Sequence, residues 1–272
     1  MSFGAAAASR IAGKVILITG ASAGIGYQTA KDFAAAAKGD LKLVLNARRL
    51  DKLTTLKEEL LKEYPSLKVH IGVLDVSKFE TIKPYIDELP AEFKEIDVLV
   101  NNAGKALGLE KIGDIDPEDI KTMFDTNVIG MVEITQIVLK GMKERNRGDI
   151  VQLGSVAGRE AYPGGGIYCA TKSALRFFTH ALRKELVNTR IRVMEIEPGN
   201  VETEFSMVRF KGDAEKAASV YTGTEPLYAD DISELIVFNC TRKPNTVIAE
   251  TLVFATNQAS PFHIYRGSLD EK

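Results

Sequence analysis

Thr19-Gly-Ala-Ser-Ala-Gly-Ile-Gly26 follows the apolar run Val15-Ile-Leu-Ile18 and opens a helical pattern over 24–37. A strand, a glycine-rich turn and a helix in that order make a phosphate-binding unit. Gly20 can take the tight turn, Gly24 can bring the backbone close to a pyrophosphate, and Gly26 can let the helix pack on the sheet. The helix N-terminus then faces the anion, where its unpaired N–H groups and its dipole favour negative charge.

The same alternation continues along the chain. Apolar, β-branched runs at 15–18, 41–45, 68–71, 97–100, 149–153, 191–196 and 247–254 are separated by helical patterns at 24–37, 50–64, 78–89, 117–145, 167–188 and 230–241. This implies an α/β fold of Rossmann type: a doubly wound, parallel, seven-stranded sheet with right-handed crossovers and helices on both faces. Asp116-Pro117 marks one helix start, with Asp as cap and Pro at the first helical position. No repeat, low-complexity linker or composition break divides the chain, so 1–272 is expected to be a single domain, with an N-terminal arm at 1–13 and a tail at 255–272. The stretch 201–227 carries Phe205, Phe210 and Tyr221, shows no clear strand, and is too long for an ordinary connection. That is the usual condition of a substrate lid.

Composition narrows the function classes. Of 272 residues, 45% are hydrophobic and 26% charged, which excludes a disordered, collagen-like or disulfide-scaffold chain. A net charge of -2 offers no basic field for nucleic acid or an anionic membrane. No stretch approaches a membrane span, and the Ala-rich start lacks the pattern of a signal peptide. Cys169 and Cys240 are the only cysteines and form no Cys-x-x-Cys pair. A reducing, cytoplasmic setting is therefore expected, and no metal site.

In open α/β sheets ligands bind beyond the carboxyl ends of the strands. Gly20, Asp75, Asn101-Asn-Ala-Gly104, Ser155 and Pro198-Gly199 follow five different strand candidates, which predicts one continuous cleft. Beyond the second strand the chain reads Leu45-Asn-Ala-Arg-Arg49, with arginines where an NAD site usually carries an acid for the ribose hydroxyls. Either Arg48 or Arg49 can accept a 2'-phosphate through a charge-assisted fork, so NADP is the expected cofactor; the other is equally well a solvated charge at the start of the next helix. Tyr168 and Lys172 are four apart in a helical pattern and project from one face. A phenol titrates near 10, too high for a base at neutral pH, and a nearby ammonium stabilises the phenolate. Ser155, at the end of the preceding strand, can hydrogen-bond a substrate oxygen.

With these residues in place the chain resembles the classical short-chain dehydrogenase/reductase family over nearly its whole length. The resemblance implies that Asn127 joins Ser155, Tyr168 and Lys172 as the fourth catalytic residue, holding a water for proton resupply. It implies that Ser22, Ala23 and Ile25 complete the cofactor loop with Gly20, Gly24 and Gly26, and that Asp75 and Val76 lie against adenine. Asn102, Ala103 and Gly104 would border the cofactor, and Pro198, Gly199, Val201 and Thr203 would touch its nicotinamide end. Lys172 would bind the nicotinamide ribose and lower the tyrosine pKa. A homotetramer is implied as well. Gly158-Arg-Glu-Ala-Tyr162, Val201-Glu-Thr-Glu-Phe205 and the segment from Asn257 to Gly267 are similar to fungal NADP-dependent 3-hydroxy acid dehydrogenases, which also act on serine and allo-threonine.

Other readings stand beside this one. The protein could be a broad-specificity NADPH carbonyl reductase, or a non-catalytic NADP-binding regulator. Pro163-Gly-Gly-Gly166 would widen the pocket ahead of Tyr168, and Glu197 puts a carboxylate before Pro198, as a pocket group or a surface charge. Tyr162, Phe205, Met207 and Phe210 are candidates for pocket lining or for core. Arg209 or Lys211 is a candidate for a substrate carboxylate or a solvated charge. Serine hydrolysis is disfavoured, because the spacing is Gly-Ser-x-x-Gly, not Gly-x-Ser-x-Gly.

Overall fold

The computed structural model describes residues 4–269. Its strands are β1 (Val15–Thr19), β2 (Lys42–Ala47), β3 (Lys68–Val73), β4 (Val98–Asn101), β5 (Gly148–Leu153), β6 (Ile191–Pro198) and β7 (Glu250–Val253). Its helices are α1 (Ala5–Ala8), α2 (Gly24–Ala36), α3 (Leu50–Glu63), α4 (Phe79–Asp87), α5 (Pro117–Phe124), α6 (Gly130–Arg145), α7 (Gly166–Glu185), α8 (Phe205–Arg209), α9 (Ala214–Ser219) and α10 (Ala229–Cys240). All seven strands run parallel in the order β3-β2-β1-β4-β5-β6-β7. The order reverses between β1 and β4, so the loops leaving these two strands diverge and leave a crevice between them.

Every residue of β1 is buried, because both faces of the sheet are covered and the strand can be apolar throughout. Ile16 and Ile18 join one core layer with Phe33, Leu53 and Ile232 from α2, α3 and α10. Val15 and Leu17 point the other way, into a layer with Ile82, Ile134 and Leu182 from α4, α6 and α7. The period of two along the strand thus divides one sequence run between two cores.

Two long stretches depart from expectation. The helix read over 117–145 begins as expected, Asp116 accepting from the Glu118 N–H at 2.9 Å, a cap that contributes about 1 kcal/mol. It is then interrupted by a π-helical turn, Asp125–Ile129, between α5 and α6. A 3.6-residue apolar pattern does not register one inserted residue, and such turns concentrate at functional sites. The stretch 201–227 contains two short helices, α8 and α9, and is pinned at both ends by a bridge between Val201 and Leu227.

Candidate active site

The strand ends open onto a cleft of about 340 Å³. Gly20, Ser22, Ala23, Gly24 and Ile25 line it after β1, and Arg48 and Arg49 after β2. Asp75 and Val76 follow β3, and Asn102, Ala103 and Gly104 follow β4. Ser155 follows β5, Pro198, Gly199, Val201 and Thr203 come from β6 and beyond, and Tyr168 and Lys172 reach in from α7. Gly26 and Asn127 are not on the cleft wall itself; each packs directly behind residues that are.

The glycine loop is held by its neighbours. Gly20 and Gly24 have φ of 67 and 54, in the left-handed region that penalises any side chain. A Cβ on Gly26 would lie 2.6 Å from the carbonyl oxygen of Gly20, so only glycine lets α2 start this close to the turn. Asn102 clamps the loop, donating to the carbonyls of Thr19 at 2.8 Å and Gly20 at 3.2 Å. The Thr19 hydroxyl accepts from the N–H groups of Asn102 and Ala103. Ala23 caps α2 without a side-chain hydrogen bond and no acid occupies the first turn, which leaves that end suited to an anion.

Four side chains converge at the inner end. Ser155 caps the short turn Val156–Gly158, accepting from the Ala157 N–H at 3.1 Å, and its hydroxyl also faces the Tyr168 phenol. The Lys172 ammonium donates to the Leu153 carbonyl at 2.7 Å and lies 5.9 Å from the centre of the Tyr168 ring. Asn127 sits in the π turn. Its Oδ1 accepts from the Lys105 N–H at 2.8 Å, and its Nδ2 donates to the Lys105 carbonyl at 2.7 Å and the Thr171 hydroxyl at 3.1 Å. Gly104 separates Asn127 Oδ1 from Lys172 Nζ, since a Cβ there would stand 3.4 and 3.7 Å from them.

Burial dominates the electrostatics. It raises the Tyr168 phenol above its ordinary value, the nearby Tyr162 adds to this, and Ser155 and Arg209 work against it. Burial pulls the Lys172 ammonium down to about 8, opposed by the carboxyl of Glu195. Arg209 is thus a cation that opposes the rise of Tyr168, on the same ring as the Lys172 ammonium. Desolvation works against ionisation of Asp75, yet the Ser77 N–H and hydroxyl, with Arg48 and Lys105, hold its carboxyl below the usual range.

Several open readings resolve. Arg49 donates to Ser22 Oγ at 3.2 Å and pairs with Glu204 at 2.9 Å, whereas Arg48 is exposed with no hydrogen bond to the described residues. Glu197 is neither a pocket carboxylate nor a surface charge. It is fully buried beneath α7 and paired with Arg159 and Arg176. Gly165 lies close against the Tyr162 ring, which a Cβ would strike, and Gly164 borders a small hollow of about 10 Å³ shared with Tyr168. Lys211 pairs with Asp119 at 2.8 Å, but Arg209 turns inward, donating to the Tyr162 hydroxyl with its guanidinium 5.3 Å from the centre of the Tyr168 ring. Phe205 packs edge-on against Tyr168 at 5.7 Å. The two Asn127 Nδ2 protons are committed to Lys105 and Thr171, while Oδ1, which accepts one bond from the Lys105 N–H, keeps a second lone pair.

Comparison with known proteins agrees with this arrangement: the family profile described as short chain dehydrogenase matches residues 14–214. The chain belongs to the short-chain dehydrogenase family. Among its relatives, NADP-dependent 3-hydroxy acid dehydrogenase of Schizosaccharomyces pombe is 52% identical over 258 residues, 95% of this chain and 98% of the relative. Sulfoacetaldehyde reductase 2 of Chromohalobacter salexigens is 42% identical over 90% of this chain and 95% of its own. The solved closed form of serine dehydrogenase complexed with NADP+ superposes with a TM-score of 0.85, at 41% identity, covering 90% of this chain and 96% of that one.

Within this family fold, the sequence reading missed Lys105 and Glu204. Both line the cleft. Lys105 directly follows the Asn101–Gly104 motif, and position alone could have placed it; burial and Arg48 lower its pKa while Asp75 raises it. Glu204 could be found only through its pairing with Arg49, across 155 residues of sequence.

Proposed function

We propose that this dehydrogenase uses NADP(H) to interconvert 3-hydroxy acids of the L-allo-threonine, serine and 3-hydroxypropanoate type with their carbonyl forms. The observation that carries the substrate class is Arg209. It is a half-buried guanidinium, stacked beside the Tyr168 ring, whose Nε has no hydrogen-bond partner among the described residues. A carboxylate two carbons from the reacting carbon can reach it while the alcohol oxygen rests on Tyr168 and Ser155, and a bidentate guanidinium fork suits that group. The names of two of the relatives, a 3-hydroxy acid dehydrogenase and a serine dehydrogenase, support this substrate class.

The residues present fit the cofactor. The left-handed glycines and the uncapped start of α2 suit a pyrophosphate, and the unpaired Arg48 suits a 2'-phosphate that Arg49 can join once released from Glu204. When bound, NADPH supplies the hydride. The chain supplies the rest. Tyr168, kept protonated by its burial, donates its phenolic proton to the substrate oxygen, and Ser155 orients that oxygen. Lys172 would hold the nicotinamide ribose, and Asn127 fixes the backbone at Lys105. Asp75 and Val76 would border adenine, and Pro198, Gly199, Val201 and Thr203 would border the nicotinamide. The same reading takes 1–272 as one domain with 201–227 as its substrate loop. It also takes the protein as a cytoplasmic homotetramer, supported by two free cysteines and by Phe177, 67% exposed on α7.

Initial rates with NADP+ and NAD+ against L-serine, L-allo-threonine and 3-hydroxypropanoate test this, beside NADPH oxidation with an ethyl 3-oxo ester. NADP-linked oxidation of the acids, abolished in Tyr168→Phe, is the expected result. Turnover of the ester alone would make the protein a general carbonyl reductase. No turnover of any of them would leave a nucleotide-binding regulator.

A further inference from the structure

β6 carries a second buried acid, Glu195, that the tetrad does not use. It is fully buried, and neither carboxyl oxygen has a hydrogen-bond partner among the described residues. An unpaired buried carboxyl is costly, and a fold that keeps one gives it a task or a charge to face. Two residues along the strand, Glu197 solves the same problem with two arginines. Glu195 has no such pair.

What it faces is the support of the catalytic lysine. Glu195 lies opposite Gln152 in the β5–β6 register, with its side chain on the face that α7 covers. It packs on Gly154 so closely that a Cβ there would stand 2.5 Å from its Oε1. The peptide of Leu153 and Gly154 therefore separates Glu195 from Lys172, whose ammonium is bonded to the Leu153 carbonyl at 2.7 Å. The charged groups around Glu195 are Lys172 and Arg176 from α7, Glu197 on its own strand and Glu250 on β7. Arg176 is occupied by Glu197 and Glu250, which leaves Lys172 as the cation not already paired with a carboxylate.

We propose that Glu195 is a positioning residue for Lys172: a buried carboxyl behind the Leu153–Gly154 peptide that keeps the catalytic ammonium charged. Desolvation drives the ammonium toward its neutral form, and a carboxylate in the same low-dielectric layer opposes that at short range. Consistent with this, burial and Glu197 push the Glu195 carboxyl up to about 7, and Glu195 is the charge that holds Lys172 up. The two titrate as a unit. As the pH rises toward the point where Lys172 would lose its proton, Glu195 ionises and retains it. The inference rests on the dehydrogenase reading of the tetrad, but not on the identity of the hydroxy acid.

The test is the titration of Lys172 in the intact protein, by NMR with lysine labelled at Cε, its resonance assigned with Lys172→Met. Glu195→Gln removes the charge and keeps the shape; Glu195→Leu removes both and keeps an apolar core. In both variants the Lys172 midpoint is expected to fall, by about half a pH unit or more. The basic limb of kcat/KM for NADPH-dependent reduction should move with it, while KM for NADPH changes little. A Lys172 midpoint unchanged in the two variants overturns the proposal, whatever their thermal stability. Because the NMR readout needs no turnover, a wild-type protein that fails to reduce any carbonyl would defeat the dehydrogenase reading without touching the electrostatic result.

Discussion

The guanidinium of Arg209 lies 5.3 Å from the centre of the Tyr168 ring and donates to the Tyr162 hydroxyl, whose ring lies 5.6 Å from it. The stretch 201–227 thus brings Arg209 to the side of the Tyr168 ring. Arg209 is also the backbone tie of this loop to the opposite wall, since its carbonyl accepts from the Gly108 N–H at 2.9 Å. One residue therefore links the position of this stretch to the acidity of Tyr168.

Arg209→Met is expected to lower kcat/KM for 3-hydroxy acids by roughly 100-fold, as loss of a desolvated, charge-assisted hydrogen bond should. Reduction of an uncharged ketone should fall far less. Parallel losses on both substrate types would mean that Arg209 only positions Tyr168 and binds no carboxylate.

At the other end of the cleft, Arg48 and Arg49 are expected to act unequally. Arg48→Ala should weaken NADPH binding and leave NADH nearly unchanged. Glu204→Gln, by releasing Arg49 from its 2.9 Å pair, should tighten NADPH a few-fold, as expected for an exposed ion pair of ~1 kcal/mol or less. Titration of cofactor fluorescence reads both. Equal weakening of the two cofactors in Arg48→Ala would remove the 2'-phosphate role.

The glycine loop makes a stability prediction. Gly26→Ala forces a methyl group against the Gly20 carbonyl and the Asn102 side chain. Neither can yield, because Asn102 is held by Thr19 and Gly20 together. Overpacking of this kind costs about 1–3 kcal/mol. Thermal melts should show it, along with a loss of nucleotide binding. A variant that melts like wild type and still binds NADPH would mean that α2 can shift away from the turn.

These three predictions differ in how far sequence alone could reach. The parallel sheet was legible because each strand carries its own β-branched run bounded by glycine or a polar turn, and the glycine loop because its backbone needs are written in residue type. The convergence of Ser155, Tyr168 and Lys172 followed from strand ends and helical spacing. What sequence could not carry were pairings across the fold. Whether Glu197 meets solvent or two arginines depends on how α7 lies over β6. Whether Arg209 points inward while Lys211 reaches Asp119 depends on two short helices that leave no periodic trace. The π turn under Asn127 is a one-residue change of phase that an apolar stripe absorbs.

The Glu195–Lys172 pair sets the last prediction, through the pH dependence of stability. Glu195 has an ordinary value of 4.5 and stands at about 7 in the fold, so the folded protein holds a proton that the unfolded chain releases. Its protonated form stabilises the fold fully below pH 4.5, and that contribution is lost as pH rises through about 7, a loss of roughly 3 kcal/mol. Lys172 runs the other way. Its folded value of about 8 lies below its ordinary 10.5, so stability is regained as pH climbs between them. Melting the wild type and Glu195→Leu side by side from pH 5 to pH 7, below the range in which Lys172 titrates in the wild type, reads the first effect. The difference between them should change by several degrees across that range, in favour of the leucine variant at the upper end. A constant difference would mean that Glu195 titrates in the fold as it does in the open chain, and that water reaches a carboxyl which the packing of Gly154 and α7 seals from it.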